Sequence, residues 1–467
     1  MAWAVERGAV AVALGLSSCV CNGDGGSAST GASTTNSVAA TTGTESSSSS
    51  QASGAEPSTS GGSSGTGGWV YEMPEGCGDG VIEPGVACYK SVPLLDEHIS
   101  YAVALDVDGD GREDVVTSQS HNDSDTPGIR VFVETGGAFQ LVQDRPEESL
   151  SGERYTEFDL DGDGERDLLT TENGENLGEI RWWSTADGGL GNPQESSLGP
   201  AVVPTGYIMR APLPIDVRGD GWPEFLVVPR HELVDASSYR VELVGRESGE
   251  WTSLGDVLQL SHACGMLEVG LRADLDGDGD DDMIAYDSGM GCDPYPADYD
   301  PSWYRYHVFM NDREAGTVQV LGDFPLGARP QYAMWARDFD EDSRVDVLVD
   351  VWAGEFPGAL ILYGRGDGSL EPGELLDIEI DDATWHLRAV GNIFGQHDHA
   401  AFLTANRGQD RAFVALLDPS EKVAAPVAVA PSDQIFATGD FNGDGLIDLV
   451  MSDPSDPPAT QILLSFH

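Results

Sequence analysis

One spacing recurs along this chain and restricts its fold more than any other feature: aspartates at alternate positions, closed by an acid eight residues after the first. Its clearest copies are Asp106-Val107-Asp108-Gly109-Asp110-Gly111-Arg112-Glu113-Asp114, Asp159-Leu160-Asp161-Gly162-Asp163-Gly164-Glu165-Arg166-Asp167 and Asp274-Leu275-Asp276-Gly277-Asp278-Gly279-Asp280-Asp281-Asp282. Another copy, Asp338-Phe339-Asp340-Glu341-Asp342-Ser343-Arg344-Val345-Asp346, keeps every acid but has neither glycine. The last is Asp440-Phe441-Asn442-Gly443-Asp444-Gly445-Leu446-Ile447-Asp448. Two worn copies fill the gaps. Asp216-Val217-Arg218-Gly219-Asp220-Gly221-Trp222-Pro223-Glu224 has a cation at the second acid position, and the stretch from Gly391 to Ala400 has lost nearly all its acids. The copies begin near 106, 159, 216, 274, 338, 392 and 440. That period, about fifty to sixty residues, is the length of one four-stranded propeller blade.

The flanks of these loops are strand-like. Ile99 to Leu105 precedes the first, and Val115-Val116-Thr117 follows it. Later copies continue as Leu168-Leu169-Thr170, Met283-Ile284-Ala285 and Val347-Leu348-Val349. A second strand pair with a glycine turn comes next, such as Ile129 to Val133, then Gly136-Gly137, then Phe139 to Val142. Short apolar runs bounded by Gly and Asp are half- or fully buried strands, and no helical stripe of about 12 residues interrupts them. The expectation is an all-β fold, a seven-bladed β-propeller. Its final repeat is one strand short before the chain stops, and a strand from the segment Ala87 to Leu95 is expected to complete it. That would remove an open sheet edge.

Aspartates alternating through a tight turn bring carboxylates to one point, and a backbone carbonyl two residues after the third acid adds a ligand; this is what calcium needs. Zinc would want His or Cys, and magnesium a stricter octahedron. An EF-hand needs a bidentate Glu at the twelfth position, where this chain has Thr117, Thr170, Ala285, Val349 and Met451. The pattern resembles instead the FG-GAP/VCBS repeats of integrin-α-like propellers, over residues of roughly 97–467. The resemblance implies about five calcium sites. Their ligands would be Asp106, Asp108, Asp110, Arg112 (by its carbonyl) and Asp114, with Asp159, Asp161, Asp163, Glu165 and Asp167 in the second loop. The equivalents further on are Asp274, Asp276, Asp278, Asp280 and Asp282; Asp338, Asp340, Asp342, Arg344 and Asp346; and Asp440, Asn442, Asp444, Leu446 and Asp448. A single such loop would be no more than a solvated turn, whereas five spaced copies argue for the ion. In the loop from Asp216 to Glu224, Arg218 brings a charge of its own to the cation's place, and the loop near 392 is expected to be empty.

The N-terminus has the layout of an export signal. Arg7 precedes a short apolar run, Gly8 to Leu16, too short to span a bilayer. Leu16-Ser17-Ser18-Cys19 resembles the lipobox of bacterial lipoproteins. That implies a signal over 1–18, a lipidated Cys19 and an outer-membrane or cell-surface address; a plain cleaved signal, with a periplasmic or secreted product, and a later start stay open. The linker within 19–70 is almost entirely Gly, Ser, Thr and Ala. It has nothing to bury, and as a coil its span is on the order of 35–40 Å. Within 71–96, Cys77 to Cys88 resembles a Cys-rich loop common in myxobacterial surface proteins. Cys77 with Cys88, and Cys264 with Cys292 around the fourth loop, are the expected disulfides; free thiols, or pairing with Cys21, remain alternatives for the second pair.

With 80 acidic and 24 basic residues the formal charge is −56. That excludes nucleic acid as a partner and electrostatic docking on anionic lipid, both of which need clustered Lys and Arg. Arg-Gly-Asp occurs at 218–220 and 365–367, in each case explained by a Gly-Asp-Gly turn template. His397, Asp398 and His399 lie in the worn loop, and Trp182-Trp183 suits blade packing better than sugar stacking. No nucleophile elbow, zinc-protease helix or P-loop is present. The expected function is therefore non-catalytic: a calcium-stabilised surface module, membrane-tethered by lipid, that binds a protein or a glycan. A lectin-like propeller is the alternative, and a polysaccharide lyase or hydrolase a further one that would need His, Arg, Lys or Tyr converging in the central funnel.

Overall fold

A computed structural model of the chain describes residues 88–465, apart from 98, 120–127, 137, 147–154, 162, 172–178, 187, 198–213, 228–238, 261–266, 288–303, 354–355, 377–384, 392–399, 406–411, 417–426, 431–434 and 454–458. The export signal, Cys19, the linker, Cys77, Cys264, Cys292 and the His397–His399 cluster lie outside the described residues.

The described secondary structure is all strand. β1 (Tyr89–Leu95) leads into the first sheet in chain order, β2 (Tyr101–Leu105), β3 (Asp114–Gln119), β4 (Gly128–Glu134) and β5 (Phe139–Pro146). The second contains β6 (Tyr155–Phe158), β7 (Asp167–Thr171) and β8 (Glu179–Trp183); a two-stranded ribbon, β9 (Thr185–Ala186) and β10 (Gly189–Leu190), precedes its outer strand β11 (Gln194–Ser197). The third is β12 (Pro214–Ile215), β13 (Glu224–Val227), β14 (Tyr239–Glu247) and β15 (Glu250–Leu260). The fourth is β16 (Leu267–Ala273), β17 (Asp282–Asp287), β18 (Arg305–Asp312) and β19 (Thr317–Pro325). The fifth is β20 (Arg329–Arg337), β21 (Asp346–Ala353), β22 (Phe356–Gly364) and β23 (Leu370–Leu376). The sixth is β24 (Trp385–Gly391), β25 (Ala400–Ala405), β26 (Ala412–Leu416) and β27 (Val427–Ala430). The last takes β28 (Ile435–Gly439), β29 (Asp448–Asp453) and β30 (Ala459–Ser465) from the end of the chain and β1 from its start.

Among the described residues these make seven four-stranded antiparallel sheets besides the ribbon. Six of the seven carry an acid-rich hairpin between their first and second strands; in the sixth sheet that connection is residues 392–399. First strands of neighbouring sheets lie side by side, β2 with β28, β16 with β20 and β20 with β24. The first strand is therefore the inner one, and the fold is an all-β propeller.

The core is a series of interfaces between sheets. Val103, Val116 and Val131 of the first sheet pack on Tyr155, Leu168 and Trp183 of the second. Leu160, Leu169 and Ile180 of the second meet Phe225, Val227 and Val244 of the third, and Leu226, Val241 and Leu243 then meet Met283, Ala285 and Phe309 of the fourth. Val347, Val349 and Leu362 continue the series from Ile284, Tyr306 and Val308. At the sixth sheet Gly391 abuts Ile447, which fills the space a Cβ would need. Alternation along each strand feeds both faces into such interfaces, so the middle strands are nearly continuous apolar runs.

The last interface closes the ring. β1 pairs antiparallel with β30, Tyr89 opposite Ser465 and Leu95 opposite Thr460, with a bulge between Pro93 and Leu95. Ser91 donates its hydroxyl to Gln461 Oε1 at 2.6 Å, and Thr460 donates to the Glu97 carbonyl at 2.8 Å. Ala102, Val115 and Phe132 of the first sheet then bury against Phe436, Phe441 and Ile462.

Candidate metal centres on the hairpin face

Each hairpin folds around its own acids. Asp106 accepts the Gly109 N–H on one oxygen at 2.8 Å and the Gly111 N–H on the other at 2.9 Å. The same wrap occurs at Asp274 and Asp440, and with the fifth N–H in place of the fourth at Asp159, Asp216 and Asp338. It requires left-handed backbone at the fourth and sixth positions, where glycine costs nothing. The fifth-sheet hairpin has Glu341 (φ 62°) and Ser343 (φ 69°) there instead, a strain of about 1–2 kcal/mol for each residue.

The closing acid does something the spacing does not announce. Asp114 is buried and accepts two backbone N–H groups, from Val107 in its own loop and from Glu134 at the end of β4, both at 3.1 Å. Asp167 does this with Leu160 and Thr185, Asp282 with Leu275 and Asn311, Asp346 with Phe339 and Gly364, and Asp448 with Phe441 and Ser465. One carboxylate thus latches the hairpin to the third strand of its sheet or, for Asp167, to the ribbon residue just after it.

Oxygens of different acids also converge. In four hairpins the first, second and closing acids offer carboxylate oxygens all within 4.8 Å of one another: Asp106, Asp108 and Asp114; Asp159, Asp161 and Asp167; Asp274, Asp276 and Asp282; Asp338, Asp340 and Asp346. Ca–O bonds of about 2.3–2.6 Å place two ligands of one ion no more than about 5 Å apart. The donor set is oxygen only and the spacing fits. The third acids Asp110, Asp163, Asp278 and Asp342 are not in these groups; each accepts the N–H of the residue two further on, Arg112, Glu165, Asp280 and Arg344. In the last hairpin Asp444 likewise accepts the N–H of Leu446, and Asn442 turns its amide nitrogen to Asp444 and to the Ser465 carbonyl, its oxygen accepting the Asp444 N–H.

Gathering carboxylates this way raises their pKa values. Burial pushes Asp114, Asp282 and Asp448 up to about 7 and Asp167 and Asp346 up to about 6, with repulsion from the other loop acids adding to it and the backbone N–H groups opposing it. Burial also raises Asp161, Asp276 and Asp340. A divalent ion would reverse this preference by favouring the charged form.

The two roles separate by mutation. Asp114→Ala leaves two buried N–H groups unsatisfied and is expected to cost about 3 kcal/mol or more, with or without calcium. Asp108 is exposed and, among the described residues, accepts a local loop amide, so Asp108→Asn is expected to lower the melting temperature only in calcium. Thermal melts of both variants, with calcium and with chelator, check this; equal losses in both conditions for Asp108→Asn would remove it as an ion ligand.

A charged cluster near the axis escaped the sequence reading. Glu157, on β6, takes a hydrogen bond from Arg166 Nη1 at 2.9 Å. Arg272, on β16, bonds the Pro214 carbonyl at 2.9 Å, pairs with Asp281 at 3.0 Å and lies over the Phe158 ring at 5.3 Å. It therefore reaches past the third sheet to the second. Glu113 accepts the Asp440 N–H at 2.9 Å, and burial, then the Glu157 charge, pushes it up to about 7. Glu157 is raised by burial too, with both arginines opposing. The available signal was that Glu113, Arg166 and Asp281 share one place, the residue before the closing acid.

Other sequence candidates resolve into packing or turns. Trp183 is buried between the first and second sheets and Trp182 packs against the cluster between the second and third. In the first Arg-Gly-Asp, Arg218 is held inward by Glu224. In the second, Arg365 pairs with Glu371 and Asp367 caps Ser369 in an exposed turn.

Comparison with solved structures returns matches at very low identity. An α-L-arabinanase of Penicillium chrysogenum, complexed with arabinobiose, is 10% identical with a TM-score of 0.38, over 80% of this chain and 97% of that one. A Lactobacillus plantarum protein is 12% identical with a TM-score of 0.43, over 77% and 89%. The Dos1 propeller is 10% identical with a TM-score of 0.42, over 78% and 83%. At these scores the likenesses carry no argument about activity. No curated protein matches the sequence. A family model does match: residues 159–227, from the second hairpin through the third, are similar to the FG-GAP-like repeat, and this stretch lies within an all-β propeller.

Proposed function

We propose that this chain is a non-catalytic, calcium-stabilised binding module, a seven-bladed ring carried at the cell surface on the linker behind a lipidated Cys19. The observation that carries this reading is the recurrence of one oxygen triad in four hairpins. Asp106, Asp108 and Asp114 and their equivalents would hold the ions, and Asp440, Asn442 and Asp448 would hold a further one. Bound there, calcium supplies charge neutralisation at points where three carboxylates crowd together. The latch acids then carry that order into the third strand of each sheet. The opposite face of the disc is left to a protein or glycan ligand.

Metal analysis after gel filtration in calcium is expected to show about five ions per chain. A glycan array and a pull-down from cell envelopes, each run with calcium and with chelator, test the binding role. Calcium-dependent capture supports it. The axial cluster gives the non-catalytic reading its test: polysaccharide cleavage that Glu157→Gln abolishes without altering the melt would overturn it.

A further inference from the structure

The third hairpin differs from its neighbours in where its cations sit. Arg218 stands at the second acid position, and its Nε donates to Glu224 Oε1 at 2.6 Å while its Nη2 donates to the Arg246 carbonyl at 3.0 Å. Glu224 is the closing acid, fully buried, and its other oxygen accepts the Val217 N–H at 2.8 Å. Arg218 thus occupies the closing-acid oxygen that in the other hairpins faces the third strand. A second arginine arrives from the next sheet. Arg313, in the turn between β18 and β19, donates from Nη2 to Asp216 Oδ2 at 2.5 Å, and its stem lies against Gly219, where a Cβ would meet it at 3.0 Å.

The first and closing acids are two of the three that form the oxygen triads elsewhere, the second being replaced here by Arg218, and in this hairpin both are engaged by guanidinium groups. Arginines touch other hairpins differently. Arg112 bonds Asp110 and Glu134, and Arg344 bonds Asp342 at 3.3 Å, so neither takes the first or closing acid. Arg313 also links the third hairpin to the fourth: its N–H donates to Asp280 Oδ2 at 3.3 Å, and Asn311 bonds the Asp216 carbonyl at 3.3 Å.

We infer that the third hairpin is a calcium-independent sector of the ring, its acids neutralised by Arg218 from within and Arg313 from the fourth sheet, and that these two arginines are what exclude the ion. This rests on the calcium reading of the other hairpins. A guanidinium cannot leave as an ion can, so the junction between the third and fourth sheets stays neutralised under chelation.

Terbium, an ion of calcium's size whose emission is sensitised by a nearby indole, gives a local readout. Trp222 occupies the seventh position of this hairpin, exposed, with the Arg246 guanidinium 4.3 Å over its ring. With the full chain, Trp222→Phe is expected to leave terbium emission and ion count unchanged. In Arg218→Asp combined with Arg313→Gln, one additional equivalent is expected, with emission that Trp222→Phe removes; Arg218→Lys, which keeps the charge, should gain none. Trp222-dependent emission in the otherwise unaltered chain overturns the inference, as does a folded double variant that takes up no further ion. Absence of ions from every hairpin of the unaltered chain would sink the calcium reading alone, and the double variant then decides this one by gain or no gain.

Discussion

Chelation at neutral pH is expected to lower the melting temperature by on the order of 10 °C, and this loss should shrink as the pH is lowered. Each site held at ten times its dissociation constant contributes about 1.4 kcal/mol, so five independent sites contribute about 7 kcal/mol. For a domain of this size a kilocalorie moves the midpoint by roughly 1–2 °C. The pH effect follows from the latch acids. In the ion-free protein Asp114, Asp282 and Asp448 titrate near 7 and Asp167 and Asp346 near 6, whereas an unfolded chain titrates near 3.9. Between those values the folded state holds protons that the unfolded state has released. Stability therefore rises as pH falls from about 7 toward about 4, and is lost as pH rises through the folded values. With calcium bound the sign reverses, because protons and ions compete for the same oxygens. Melts at a series of pH values, in calcium and in chelator, are expected to converge on acidification. Parallel curves would show that these carboxylates hold no ion.

Removing residues 1–99 is expected to be as damaging, by a different route. β1 is the outer strand of the last sheet, and its loss strips β30 of its cross-strand partners on one side, leaving those of β29. The backbone hydrogen bonds alone are worth on the order of 3–6 kcal/mol, and Tyr89, fully buried here, adds about 2 kcal/mol. The bared β30 is also an edge bearing Ile462, Leu463 and Leu464, an invitation to pair with another chain. Truncation at Ser100 should thus give a lower, broader melt and concentration-dependent aggregation in gel filtration, while truncation at Cys88, which keeps β1, should melt as the full chain does. A monomeric truncation at Ser100 with an unchanged melt would mean that the ring does not depend on this seam.

Calcium at the hairpins and closure at the seam are connected through Glu113. It sits beside the first latch acid and bonds Asp440 of the last hairpin, so the two hairpins flanking the seam share a contact. Loss of ions at either end is expected to loosen the join where the chain's two ends meet.

Much of this was legible in the sequence because the information is local. A hairpin whose acids alternate and whose fourth and sixth residues take left-handed backbone wraps its first aspartate whatever surrounds it. Strand pairs on either side follow from short apolar runs, and an all-β propeller follows from the repetition. Trp182 and Trp183, adjacent in a strand, face opposite sides and enter two different inter-sheet clusters, as alternation demands. The deficit of one strand in the last repeat was likewise readable by counting.

What only the tertiary structure decided depends on residues far apart. That Asp114 is a latch as well as a candidate ligand requires the end of β4 to meet the base of the hairpin. The charge balance at Asp216 depends on Arg313, ninety-seven residues away, and Arg272 meets Phe158 and Pro214 only because the inner strands of separate sheets converge on one axis. Spacing along the chain determined which acids share a turn. Which cation each acid meets was decided by the ring, since Coulomb interactions and desolvation act through space and follow no local pattern.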